Sequence, residues 1–102
     1  MNAEGIYSSY ADDPDFAEML PFFVDGLAEM RVTIKELAQA KDFDSVRREA
    51  HKIRGSAGGY GFSGLSDLAG SLEESCKNSP QDEAMILRTV EEMLDYLEKV
   101  RA

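Results

Sequence analysis

Residues 46–61 read VRREAHKIRGSAGGYG, and the apolar positions in this stretch decide the kind of structure that the chain forms. Apolar or small side chains recur there in steps of four and three, at Val46, Ala50, Ile53, Ala57 and Tyr60. Because residues three and four positions apart lie on the same side of an α-helix, this spacing predicts one amphipathic helix. Asp42 is expected to cap its start and Gly61 to follow its end.

The same spacing extends outward through three further segments, each with one apolar face. The apolar positions are Phe16, Leu20, Phe23, Leu27, Met30, Ile34 and Leu37 before the quoted stretch, then Leu65, Leu68, Ala69, Leu72 and Cys76, and finally Ile86, Val90, Met93, Leu97 and Val100. Pro21 predicts either a kink in the first helix or a break into a short helix and a longer one. Ser63 is expected to cap the third helix, and Ser79 followed by Pro80 to start the last.

Four amphipathic helices joined by short links predict an all-α fold, because no segment alternates with the period of two that a strand requires. The simplest arrangement is an antiparallel up-down-up-down four-helix bundle, with a short extra N-terminal helix if the chain breaks at Pro21. At 102 residues the chain has room for one core. We expect a tail or short lid at residues 1–11 and a single domain at residues 12–102.

The composition limits the classes of partner and the cellular compartment that we expect for this protein. A net charge of −9 argues against nucleic acid, whose binding depends on Lys and Arg. No apolar run approaches the roughly 20 residues of a membrane span, and the N-terminus lacks a basic and apolar leader. Cys76 is the single cysteine, which excludes an intramolecular disulfide and favours the reducing cytoplasm.

The single histidine, His51, falls on the face of its helix opposite the apolar one. The basic residues Arg47, Arg48, Lys52 and Arg54 surround it in an otherwise acidic chain. An imidazole that accepted a phosphoryl group there would have its new charge neutralised by these cations. Gly55 and Gly58 leave side chains off the same face, so another protein could approach the ring closely, whereas Gly59 and Gly61 fit the end of the helix.

An interpretation in which these residues have no chemical role stays open. A single surface histidine often has no chemical role, and clustered arginines are often only a solvated helix face. The glycines could also serve close packing between helices.

The quoted stretch resembles the signature of histidine-containing phosphotransfer (HPt) domains. These domains show Ala-His, an aliphatic residue, a basic residue, Gly, small residues and a further Gly ten positions after the His, which residues 50–61 match. The resemblance implies that His51 is the phosphoacceptor, at Nε2, and that Arg54 contacts the phosphoryl oxygens where the family usually has Lys. It further implies that Gly55 leaves room for the partner and that Glu73 orients the imidazole.

By this resemblance the protein is a phosphorelay intermediate without kinase activity of its own. Its expected partners are receiver domains of response regulators and of hybrid sensor histidine kinases. In each case the partner's receiver domain supplies the catalytic Asp and the Mg²⁺. No cofactor or metal of its own is expected, since one His and one Cys cannot form a zinc or di-iron site. A polar outer surface favours a monomer. Two alternatives stay open: a non-catalytic helical adaptor that docks receivers, and the phosphoacceptor input domain of a chemotaxis-type kinase.

Overall fold

The computed structural model describes residues 5–102 and is all-α there. Its helices are α1 (Pro14–Ala17), α2 (Leu20–Gln39), α3 (Phe43–Gly59), α4 (Ser63–Asn78) and α5 (Glu83–Lys99). Each of the four long helices packs against its neighbours in the chain, and α2 also packs against α5, which closes the ring around one core. The predicted four-helix bundle with a short N-terminal helix is therefore confirmed.

The first predicted helix breaks just before Pro21. Asp13 caps α1 by accepting a hydrogen bond from the Asp15 amide at 2.9 Å. The next helix, α2, begins at Leu20, so Pro21 lies in its first turn. A proline is tolerated there because the amide it lacks would have no partner inside the helix.

Both ends of α3 follow the prediction. The Asp42 carboxylate caps the start by accepting from the Ser45 amide at 3.3 Å. At the other end the Phe62 amide donates to the Ala57 carbonyl at 2.9 Å, and Gly61 has a φ of 85°. This is the left-handed residue that typically ends a helix, and Gly adopts it without strain.

Two predicted helix starts are wrong. Ser63 is the first residue of α4, and Phe62 holds the cap position without a side-chain hydrogen bond, anchored instead by its burial. Asp82 rather than Ser79 caps α5, by accepting from the Met85 amide at 3.1 Å. The Asp82 amide bonds to the Ser79 carbonyl at 3.0 Å. Ser79-Pro80-Gln81-Asp82 therefore forms a turn with proline at its second position, where proline is favoured.

The residues before α1 pack against one end of the bundle. The Ile6 amide donates to the Lys99 carbonyl at 2.7 Å, and the hydroxyl of buried Ser8 donates to the Tyr60 carbonyl at 2.5 Å. Residues 1–4 of the predicted tail lie outside the described residues. In the described part of the chain, no helix has the length and apolar character that crossing a membrane requires.

Candidate phosphotransfer site

His51 lies near the middle of α3, on the face that points to solvent. The buried side chains of this helix are Val46, Ala50, Ile53 and Ala57, which face the core. The His51 side chain is 71% exposed. The ring is therefore held by the rigid part of the bundle while one side of it remains open to another protein.

Glu73 on α4 joins His51 to Arg54. The Nδ1 atom of His51 lies 2.7 Å from Oε2 of Glu73, and Nη1 of Arg54 donates to Oε1 of the same carboxylate at 3.2 Å. The Glu73 side chain is only 13% exposed, whereas that of Arg54 is 52% exposed. One mostly covered carboxylate thus orients two exposed groups that lie one turn apart on the facing helix.

The ionisation state of Glu73 determines which nitrogen of the His51 imidazole carries the proton. Burial by itself would raise the pKa of Glu73, but the hydrogen bonds from His51 and Arg54, together with their charges, lower it below its ordinary value of 4.5. At neutral pH the group is a carboxylate, which can only accept hydrogen bonds. Nδ1 must therefore carry the proton, and in the neutral ring the lone pair is on Nε2, on the side of the ring away from Glu73.

The other basic residues around His51 are engaged with acidic neighbours on α3 itself. Arg47 donates to Asp44 at 3.1 Å, Arg48 also pairs with Asp44, and Lys52 pairs with Glu49 at 3.0 Å. The hydrogen bond from Arg47 and the charge of Arg48 lower the pKa of Asp44. Of the four cations expected to stabilise a phosphoryl group, only Arg54 shares a hydrogen-bond partner with His51 in residues 5–102.

The glycines of α3 have different surroundings. A Cβ added at Gly55 or at Gly59 would meet nothing within 4 Å, whereas a Cβ at Gly58 would lie 3.5 Å from the Ser66 hydroxyl oxygen on α4. Gly55 therefore lies on open surface one turn beyond His51. Gly58 and Gly59 are also exposed, and of these two only Gly58 lies beside the Ser66 side chain of α4. The partner-access role expected for Gly58 stays a prediction.

A comparison with protein families decides where the chain belongs. The family model described as Hpt domain matches residues 18–102, which include all four long helices and the His51 site. The chain belongs to the Hpt domain family. Hpt domains are phosphocarrier modules with a histidine phosphotransfer role in phosphorelays, and they interact with receiver domains of two-component systems. Neither the curated proteins nor the solved structures gave a match.

Two further residues of this Hpt domain shape the site, and sequence reasoning did not identify them. The Ser66 hydroxyl donates to the Arg54 carbonyl at 2.9 Å, and Gly70 lies under the Arg54 side chain. Both line an open groove of about 720 Å³ on the surface of α4, to which α3 contributes Arg54. For Gly70 a signal was present, since an isolated glycine inside a helical pattern often has a packing reason. Ser66 gave no such signal, because only the packing of α4 on α3 brings it to Arg54.

The acidic partner Asp44 was also overlooked, although its spacing to Arg47 and Arg48 is that of neighbours on a helix surface. As for metal ions, no cluster of three His, Cys, Asp or Glu side chains that could hold one occurs within residues 5–102.

Proposed function

We propose that His51 of this Hpt domain is a phosphoacceptor that takes a phosphoryl group from the phospho-aspartate of one receiver domain and passes it to another. The observation that carries the proposal is the bond between His51 Nδ1 and the Glu73 carboxylate on an exposed helix face. It leaves Nε2 as the nitrogen available for attack.

In the transfer step, the Nε2 lone pair attacks phosphorus and a P–N bond forms. The bond between phosphorus and the aspartate oxygen breaks, and the aspartate leaves as a carboxylate. The Nδ1 proton remains hydrogen-bonded to Glu73, whose negative charge offsets the positive charge that the ring acquires. The reverse sequence, with an unphosphorylated aspartate of the next receiver as the attacking group, regenerates neutral His51.

Arg54 is the residue best placed to stabilise the phosphoryl oxygens. It lies three positions after His51, on the same side of α3. A guanidinium has five N–H donors, and Glu73 takes one of them at Nη1. The half-exposed side chain retains donors for a charge-assisted hydrogen bond to the phosphoryl group. Arg47, Arg48 and Lys52 contribute a more distant positive field, weakened by their acidic partners.

We further propose that the protein works as a monomer in the cytoplasm. Cys76 is the single cysteine, so the chain forms no internal disulfide, which suits a reducing compartment. The aspartate and the Mg²⁺ that the transfer uses belong to the receiver.

Incubation with a phosphorylated receiver domain tests the proposal. The protein is expected to gain label that is labile in acid and stable in alkali, as a P–N bond is, while the receiver loses its acyl phosphate. A receiver that binds the protein but transfers no label would favour the adaptor alternative. Autophosphorylation in the same chain is not expected in either case.

Glu73→Ala is expected to slow transfer to His51 by about 10- to 100-fold, the cost of losing a hydrogen bond to a charged group. The variant leaves the imidazole free to rotate and removes the carboxylate that fixes the proton on Nδ1. Transfer from a phosphorylated receiver, followed in single turnover, measures the effect. Glu74→Ala removes the neighbouring carboxylate, which bonds only to Asn78 among the described residues, and is the matched control. Equal rates for the two variants would remove Glu73 from the proposed site.

Gly55→Gln is expected to slow transfer from a receiver by about tenfold or more while the folded protein stays at least as stable. The new side chain meets open space in the free protein, and Gln favours a helix by up to about 1 kcal/mol over Gly. It would, however, project beside His51 where the partner must approach. Gly26→Gln on α2, also in open space, supplies the control. A transfer rate unchanged from wild type would show that the bare surface at Gly55 has no part in access.

A further inference from the structure

Gly70 lies in the interior of α4, where a glycine is unfavourable. A glycine in a helix interior costs about 1 kcal/mol relative to alanine. Gly70 has no positive φ and is eight residues from the end of α4, so neither a turn nor a helix cap explains it. Its distinguishing feature is what lies above it. An added Cβ would come within 3.3 Å of Nε, 3.6 Å of Cδ and 3.7 Å of Cζ of Arg54.

Arg54 is held along one stripe of α4 at three points. The Ser66 hydroxyl donates to its backbone carbonyl, its Nε and Cδ atoms lie over Gly70, and its Nη1 atom donates to Glu73. Ser66, Gly70 and Glu73 follow one another at intervals of four and three, so they share one face of α4. With no side chain at Gly70, the Arg54 side chain lies so close to α4 that an alanine Cβ there would require a shift of a few tenths of an ångström.

We infer that Gly70 is a positioning residue that holds the Arg54 guanidinium for the phosphoryl group on His51. The inference rests on the proposed phosphoacceptor role of His51 and deepens it. An alanine methyl group at position 70 pushes Nε outward by a few tenths of an ångström and weakens the bond from Nη1 to Glu73. Because the other oxygen of Glu73 holds Nδ1 of His51, the displacement also reaches the imidazole.

The same geometry gives the arginine at position 54 a structural basis. A guanidinium is planar and requires a defined approach to a carboxylate, whereas a lysine ammonium is a point charge on a flexible stem. A lysine could avoid a Cβ at position 70 by changing rotamer. The residues at positions 54 and 70 are therefore expected to be coupled, with arginine needing glycine opposite it.

A double-mutant cycle of Gly70→Ala and Arg54→Lys tests this coupling. Each protein is phosphorylated on histidine with phosphoramidate, a small phosphodonor that needs no partner, and the labelled protein is then mixed with a receiver. With arginine at position 54, Gly70→Ala is expected to slow both steps by about fivefold or more, and in the Arg54→Lys background by less than about twofold. Thermal unfolding should show Gly70→Ala at least as stable as wild type, a combination that damage to the fold would not produce.

Gly26→Ala is the matched control, since it makes the same change in a helix interior at a position with open space around it. Gly70→Ala transferring as fast as Gly26→Ala would overturn the inference. An equal loss in the wild-type and Arg54→Lys backgrounds would also overturn it, since Gly70 would then act through something other than the guanidinium.

Different results would overturn the phosphoacceptor role of His51 and the positioning role of Gly70. A wild-type protein that gains no histidine label from phosphoramidate or from any receiver would overturn the phosphoacceptor role itself. The ¹⁵N NMR signal of the Arg54 Nη1 group, which donates to Glu73, then still decides the positioning role. Faster hydrogen exchange at this group in Gly70→Ala than in Gly26→Ala supports it, and identical signals refute it.

Discussion

His51→Gln is expected to abolish phosphoryl transfer, with a loss of at least about a thousandfold, as when a nucleophile is removed from an enzyme. An amide nitrogen has no lone pair comparable to that of imidazole Nε2. The substitution should leave the fold intact, because the side chain is 71% exposed and makes no contribution to the core. The amide of the new glutamine can still donate to Glu73, so the Arg54 pair is retained and the change removes mainly the nucleophile.

The measurement follows label from a phosphorylated receiver, or from phosphoramidate, onto each protein. Glu91→Gln is the control, since Glu91 is exposed on α5, a helix that does not pack against α3. It should transfer as the wild type does. Acid-labile label that persists in the His51→Gln protein would refute the assignment, since no other residue of the chain can form phosphohistidine.

Phe62→Ala is expected to cause the largest loss of stability, about 3–5 kcal/mol, by leaving a cavity at the end of the core. The side chain is 1% exposed and stacks on Phe23, with ring centroids 5.9 Å apart, and Phe23 stacks in turn on Tyr60 at 4.2 Å. Its burial also anchors the start of α4, which has no side-chain cap. For a domain of this size, the melting temperature should fall by about 15 °C or more.

Phe22→Ala makes the same chemical change two residues into α2, where the ring is 79% exposed. Its free energy of unfolding should stay within about 0.5 kcal/mol of wild type, as is usual for surface positions. Urea unfolding curves give the free energy of unfolding of both variants. The two are compared with the same dependence of that free energy on urea concentration. Similar losses for Phe22 and Phe62 would contradict the placement of the core.

The helices of this domain could be predicted because burial repeats along the sequence. On α3, Val46, Ala50, Ile53 and Ala57 are all fully buried, as their spacing indicates. His51 could be placed on the opposite face by the same periodicity. These are properties of a single helix, which depend only on residues three and four positions apart.

The helix starts and the side-chain network could not be predicted in the same way. Ser79 and Asp82 are both good capping residues, and only the turn formed around Pro80 selects Asp82. Glu73 could be assigned a role through the family resemblance, but its bond to Arg54 depends on how α4 packs against α3. The difference between Gly58 and Gly59 has the same origin, because the hydroxyl of Ser66 on α4 lies next to one and not the other.

The joining of His51, Arg54 and Glu73 through a single carboxylate has a consequence for protein engineering. All three residues belong to the α3–α4 hairpin, which is continuous in the chain from residue 43 to residue 78. Helices α2 and α5 contribute apolar side chains to the core but no member of this trio. The outward-facing residues of α2 and α5 can therefore be exchanged for those of another Hpt domain without replacing any of these three side chains.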